Sequence, residues 1–134
     1  MKRIVTTGRI PGIIAYDKQD PVGWCSIAPR EDFPVLDRSP TLKRIDVQPV
    51  WSIVCLFITR AQRGKDLTHT LIRTAIKYAE RNGAGIIEAY PIFSAETTYA
   101  KWELYTGLVS TFDKLGFKVA AQRSRVRPIM RLYL

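Results

Sequence analysis

Val50-Trp51-Ser52-Ile53-Val54-Cys55-Leu56-Phe57-Ile58 is a nearly unbroken apolar run that gives way to Arg60-Ala61-Gln62-Arg63-Gly64-Lys65 and then resumes with helical period as far as Ala79. A buried strand that ends in a basic, glycine-containing turn and passes directly into a helix can hold a phosphate group. Backbone N–H groups at a helix start have no partner within the helix, the helix dipole favours negative charge there, and glycine lets an anion approach the backbone. The stretch therefore predicts an anionic, phosphate-bearing ligand.

The run Val50 to Thr59 is apolar on both faces, as expected of a strand at the centre of a sheet covered on both sides. In the helix after it, Leu67, Leu71, Ile72, Ala75, Ile76 and Ala79 recur at three- and four-residue steps, while Thr70, Arg73, Lys77 and Arg81 face outward. Asn82-Gly83 ends it. Upstream, Ile10 to Tyr16 and Val22 to Ala28 are rich in strand formers and flank Asp17-Lys18-Gln19-Asp20-Pro21, which reads as a β-hairpin. Pro29 to Pro49 carries Pro29, Pro34, Pro40 and Pro49 among charged residues and predicts a long irregular connection, with one short helical turn at Glu31 to Leu36.

Downstream, Gly85 to Tyr90 is a short strand stopped by Pro91, and a second helix spans Tyr105 to Leu115 and ends at Gly116. Phe117 to Gln122 and Pro128 to Leu134 read as two further strands. The predicted order is β-β-β-α-β-α-β-β. The strand, helix, strand unit from Val50 to Tyr90 implies one parallel crossover inside a mixed, mostly antiparallel sheet flanked by helices.

A length of 134 residues suits one domain over 1–134. With 46% apolar and 10% aromatic residues it reads as globular. No apolar run approaches the ~18 to 20 residues that span a bilayer, and Met1 to Arg9 lacks the apolar segment of a signal peptide, so a cytoplasmic protein with no membrane partner is expected. Cys25 and Cys55 lie in strand-like runs and belong to no Cys/His cluster, which predicts reduced core thiols and no metal. His69 is the only histidine and stands among polar residues of the predicted helix. A net charge of +9 could attract nucleic acid, a membrane surface or a small polyanion, but no aromatic RNA-binding strand or recognition-helix pattern accompanies it.

The strand order, the basic glycine turn after the central strand and the ending Phe112-Asp113-Lys114-Leu115-Gly116-Phe117 together resemble the GCN5-related N-acetyltransferase (GNAT) superfamily, from about Ile10 onward. Such enzymes carry Arg/Gln-x-x-Gly-x-Gly/Ala at the start of their main helix, and the matching residues here are Arg63-Gly64-Lys65-Asp66-Leu67-Thr68. The resemblance implies an α/β acyl-CoA N-acyltransferase fold and transfer of an acetyl group from acetyl-CoA to an amine by direct attack in a ternary complex. It implies pyrophosphate contacts at Arg63, Gly64, Lys65, Asp66, Leu67 and Thr68, and pantetheine contacts at Leu56, Phe57 and Ile58. Candidates for a proton donor or acceptor, by position near strand ends, are Glu88, Tyr90, Ser110 and Tyr105. The expected partners are acetyl-CoA and an amine acceptor, with a homodimer possible and no nucleic acid.

Three departures from the family pattern carry expectations of their own. Asp66 and Thr68 replace the family glycines, and a carboxylate ~6 Å from a phosphate would oppose it by roughly 3 kcal/mol at an effective dielectric of 20. Phe112 stands where many members place a tyrosine, so no hydroxyl is available there to protonate a thiolate. The family usually begins with a strand and one or two helices that wall the acceptor site, yet fewer than a dozen residues precede the hairpin here. Either the natural start lies upstream, or that wall is built by the Pro29 to Pro49 connection, by Phe93 to Leu104, or by a second subunit. A catalytically impaired acyl-CoA-binding relative and a small basic nucleic-acid-binding module remain the alternatives.

Overall fold

The computed structural model describes residues 2–6, 12–59, 67–93 and 107–134. Among them seven strands form one sheet: β1 (Lys2–Thr6), β2 (Ile13–Asp17), β3 (Asp20–Pro29), β4 (Trp51–Ile58), β5 (Ile86–Ala89), β6 (Lys118–Ala121) and β7 (Ile129–Tyr133). Their spatial order is β1-β2-β3-β4-β5-β7-β6. Only β4 and β5 run parallel, as the crossover predicted, and every other neighbouring pair is antiparallel. The α-helices among the described residues are α1 (Val35–Arg38), α2 (Leu67–Arg81) and α3 (Val109–Lys114).

β1 is an addition to the expected order. Lys2-Arg3-Ile4-Val5-Thr6 is too short to display a period, and it pairs along its whole length with β2. The two strands are direct neighbours at one edge of the sheet. The second helix also begins later than expected. Gly107 has φ +83° and Leu108 is extended, bridging to Ile92, so the helical path opens at Val109 rather than Tyr105, which lies outside the described residues.

The helical period of α2 translates directly into packing. Leu67, Leu71, Ile72, Ala75 and Ala79 are buried against β2, β3 and β4, while Thr70, Arg73, Lys77 and Arg81 are exposed. Complete burial of Leu71 and Ile72 removes about 1.5 to 3 kcal/mol worth of apolar surface from water for each. Both helices finish as their sequences indicate, with the amides of Ala84 and Phe117 donating five residues back to the carbonyls of Ala79 and Phe112.

Because side chains alternate along a strand, the sheet presents a second set to its other face. Ile53, Ala89 and Met130 face α2, whereas their neighbours Val54, Tyr90 and Ile129 face the connection between β3 and β4. That connection consists of a 3-10 turn (Arg30–Asp32), α1 and the chain to Val50, and it lays Phe33, Leu36, Leu42 and Ile45 onto this face. β4 is thus central and covered on both sides, as its apolar sequence requires.

Candidate active site

A fork opens beside β4. The β4–β5 ladder runs from Trp51↔Ile87 to Ile53↔Ala89 and ends, while the β3–β4 ladder continues to Gly23↔Ile58. Beyond Ala89 the chain turns to other partners: the Ile92 amide donates to the Gly107 carbonyl, the Val109 amide donates back to Ile92, and the Phe93 amide donates to Val126. An irregularity in the β3–β4 ladder lies at the same level. Ser26 pairs with Cys55 but Ile27 pairs with Ile53, which leaves Val54 as an extra residue in β4. Such a bulge bends its strand and increases the twist.

The carboxyl end of β4 leads toward the start of α2 at Leu67, across residues outside the described set. Of the residues expected to hold a cofactor, Leu56, Phe57 and Ile58 fall on β4 past the last β5 pair, and Leu67 and Thr68 open α2. Arg63, Gly64, Lys65 and Asp66 lie outside the described residues, as does Tyr105. A gap between two diverging strands suits an extended, amide-bearing chain, and the first turn of α2 carries no acidic residue among its described positions.

Just before the fork, five polar side chains from β4, β5, β7 and the residues just after β3 and β5 close ranks. Glu88 is 1% exposed and pairs in register with Arg131 across β5–β7. Its Oε2 accepts from Arg131 Nε at 2.8 Å and its Oε1 from Arg30 Nη1 at 3.0 Å. The Tyr90 hydroxyl also donates to Oε1 at 2.8 Å, so the Tyr90 oxygen accepts from Arg30 Nη1 at 2.8 Å and from Ser52 Oγ at 2.6 Å. Burial, and then the Glu88 charge, push the Tyr90 phenol up and keep it protonated.

The two arginines carry this cluster outward. Arg30 Nη2 donates to Asp37 Oδ1 and to the Leu42 carbonyl. Arg131 grips Asp46 with Nη1 and Nη2 at 2.8 and 2.9 Å. The Arg30 bond holds Asp37 below the usual carboxylate range, and the Arg131 bonds pull Asp46 down to about 2. A continuous relay, Asp37–Arg30–Glu88–Arg131–Asp46, therefore joins the β3–β4 connection to the middle of the sheet.

The structure thus brings Glu88 and Tyr90 together and leaves Ser110 apart, exposed on the first turn of α3. Phe112 is fully buried and meets Phe117 edge-on at 5.0 Å, so this position offers packing and no hydroxyl. Cys25 is buried and Cys55 half-buried, and burial pushes both thiols up, away from nucleophilic character. Sequence reasoning missed Arg30, Arg131 and Ser52. The available signal was a lone glutamate inside Ile86-Ile87-Glu88-Ala89-Tyr90, since a charge in a buried strand requires partners.

Similarity to known proteins follows the fold. No match was found among curated proteins. Among solved structures, the chain is similar to a GCN5-related N-acetyltransferase from Kribbella flavida, with 19% identity and a TM-score of 0.61, over 96% of this chain and 72% of that one. It is similar to the PaiA N-acetyltransferase from Thermoplasma acidophilum in complex with coenzyme A, with 17% identity and a TM-score of 0.60, over 93% of this chain and 61% of that one. A ribosomal-protein-alanine N-acetyltransferase from Brucella melitensis gives 14% identity and a TM-score of 0.60, over 93% and 69%. Identities this low speak for the fold alone. Residues 5–106 match the acetyltransferase (GNAT) family, and with that match covering most of its length the chain belongs to this family.

Proposed function

We propose that this protein transfers an acetyl group from acetyl-CoA to an amine held beside it in a ternary complex. The observation that carries the reading is the fork between β4 and β5, level with the extra residue Val54 and leading to the α2 start. Acetyl-CoA would supply an activated thioester and a phosphate-rich handle. In this reading the β4 backbone at Leu56, Phe57 and Ile58 receives the pantetheine arm, and the turn Arg63-Gly64-Lys65-Asp66-Leu67-Thr68 receives the pyrophosphate.

Direct attack by an amine depends chiefly on orientation, and effective molarities in well-oriented systems supply on the order of 7 to 11 kcal/mol. Glu88 and Tyr90 then act by holding the β5 side of the fork rather than by moving protons, because each oxygen of Glu88 already accepts from an arginine and the Tyr90 proton points to Glu88. Calorimetric titration with acetyl-CoA, followed by detection of released CoA thiol on a panel of amines, tests the proposal. Saturable heat and acceptor-dependent thiol release are expected; no heat at millimolar acetyl-CoA overturns it.

A further inference from the structure

We infer that the Asp37–Arg30–Glu88–Arg131–Asp46 relay is the positioning device of the acceptor site, fixing the β3–β4 connection as the wall against which the amine is presented. The inference rests on the transferase reading and adds to it the residues that govern acceptor recognition.

Three observations converge on it. The connection packs Phe33, Leu36 and Leu42 in one cluster with Val54 and Tyr90. Val54 is the bulged residue on one side of the fork, and Tyr90 is the first residue past the last ladder pair on the other. The connection therefore covers the fork from the face opposite α2. Second, among the described residues, α1 is the one α-helix that contributes to the cluster on this face.

Third, the connection has little regular structure of its own. α1 is four residues long and the segment from Ser39 to Pro49 contains neither helix nor strand. Besides its apolar packing, the connection is held by arginine guanidinium groups: Arg30, at its own start, on Asp37 and the Leu42 carbonyl, and from outside it Arg131 on Asp46 and Arg123 on the carbonyls of Lys43 and Arg44. Bidentate and forked contacts of this kind fix orientation as well as distance. Arg30 and Arg131 both terminate on Glu88, one residue pair before the fork. A shift of the wall and a shift of the β5 side of the fork are thereby coupled through one carboxylate.

A displaced wall misorients the amine while leaving the cofactor slot on β4 and α2 intact. The test uses Asp37→Asn and Asp46→Asn, singly and together, because both side chains are part-exposed and Glu88 keeps both of its arginines in these variants. With the amine that wild type acetylates fastest, the double variant is expected to raise the acceptor KM roughly tenfold while acetyl-CoA affinity stays within about twofold. Asp46→Glu, which keeps a carboxylate for Arg131, should move the acceptor KM back toward wild type. Hydrogen exchange should quicken across 33–46 and stay unchanged across α2. An unchanged acceptor KM, or equal losses in acceptor KM and acetyl-CoA affinity, overturns the inference while the transferase reading stands. Absence of wild-type turnover on every amine overturns both.

Discussion

Arg131 donates Nε–H to Glu88 Oε2 at 2.8 Å across the same step of the β5–β7 ladder at which their Cα atoms are register partners. Backbone and side chains thus reinforce one alignment. With Arg30 on the other carboxylate oxygen, one buried carboxylate is shared by two buried arginines, each of which also holds a part-exposed aspartate.

Removing that anion exposes the cost. Glu88→Ala removes the buried carboxylate that Arg30 and Arg131 share, leaves each with only its part-exposed aspartate, and should lower the unfolding free energy by about 3 kcal/mol. Combined replacement of Arg30, Glu88 and Arg131 by Met, Leu and Leu should lose less than Glu88→Ala alone. Urea denaturation of the two proteins provides the comparison, and a larger loss in the triple variant would contradict it.

The rim carboxylates make the fold acid-sensitive in a defined window. Asp46, held by Arg131, titrates at about 2 in the folded protein, below its ordinary value of roughly 3.9 in an unfolded chain. Its contribution is complete above the ordinary value and is lost as pH falls toward about 2, and the depressed Asp37 adds in the same direction. Melting temperature should therefore drop between pH 4 and pH 2, on the order of the window set by these values. Asp46→Asn should show a shallower drop, and parallel curves for the two proteins would refute the assignment.

Gly107 joins the fork to α3 by close approach. A methyl group there would stand 2.9 Å from Phe112 Cε2 and 3.2 Å from Leu56 Cδ2, at φ +83°. Gly107→Ala should cost roughly 1 to 3 kcal/mol from steric and backbone strain together. Gly85→Ala, where nothing lies within 4 Å and φ is ordinary, should be neutral or stabilising by about 0.4 to 1 kcal/mol. Thermal melts of the two alanine variants side by side decide the point.

Deleting Val54 should restore an even count between β3 and β4. The expected result is a folded protein whose acetyl-CoA affinity falls by on the order of a hundredfold, since the strand no longer bends away from β5. Unaltered affinity in calorimetry would mean that the bulge does not make the fork.

The central strand and α2 were legible because their signals are long: a run of nine positions broken only by Ser52 and a helical period sustained over four turns. β1 was not, because five residues show no period. The start of α3 was misread since Tyr105 to Leu108 continues an apolar pattern that Gly107 and the Leu108–Ile92 bridge override. Glu88 and Tyr90 were singled out as proton donors or acceptors by their place at a strand end, and the structure places their side chains in contact with each other. Their partners were not, because Arg30 is 58 residues from Glu88 and Arg131 is 43, and no local rule spans such distances.

The fork is specified by how many residues β4 contains between two ladder pairs, and hardly at all by which residues they are. Val54 is an ordinary branched apolar residue, and no glycine or proline marks the spot. An inheritance carried in spacing tolerates nearly every change of letter and almost no change of count. A single-residue insertion or deletion in β3 or β4 is therefore expected to disturb the fork more than most substitutions along the same strands.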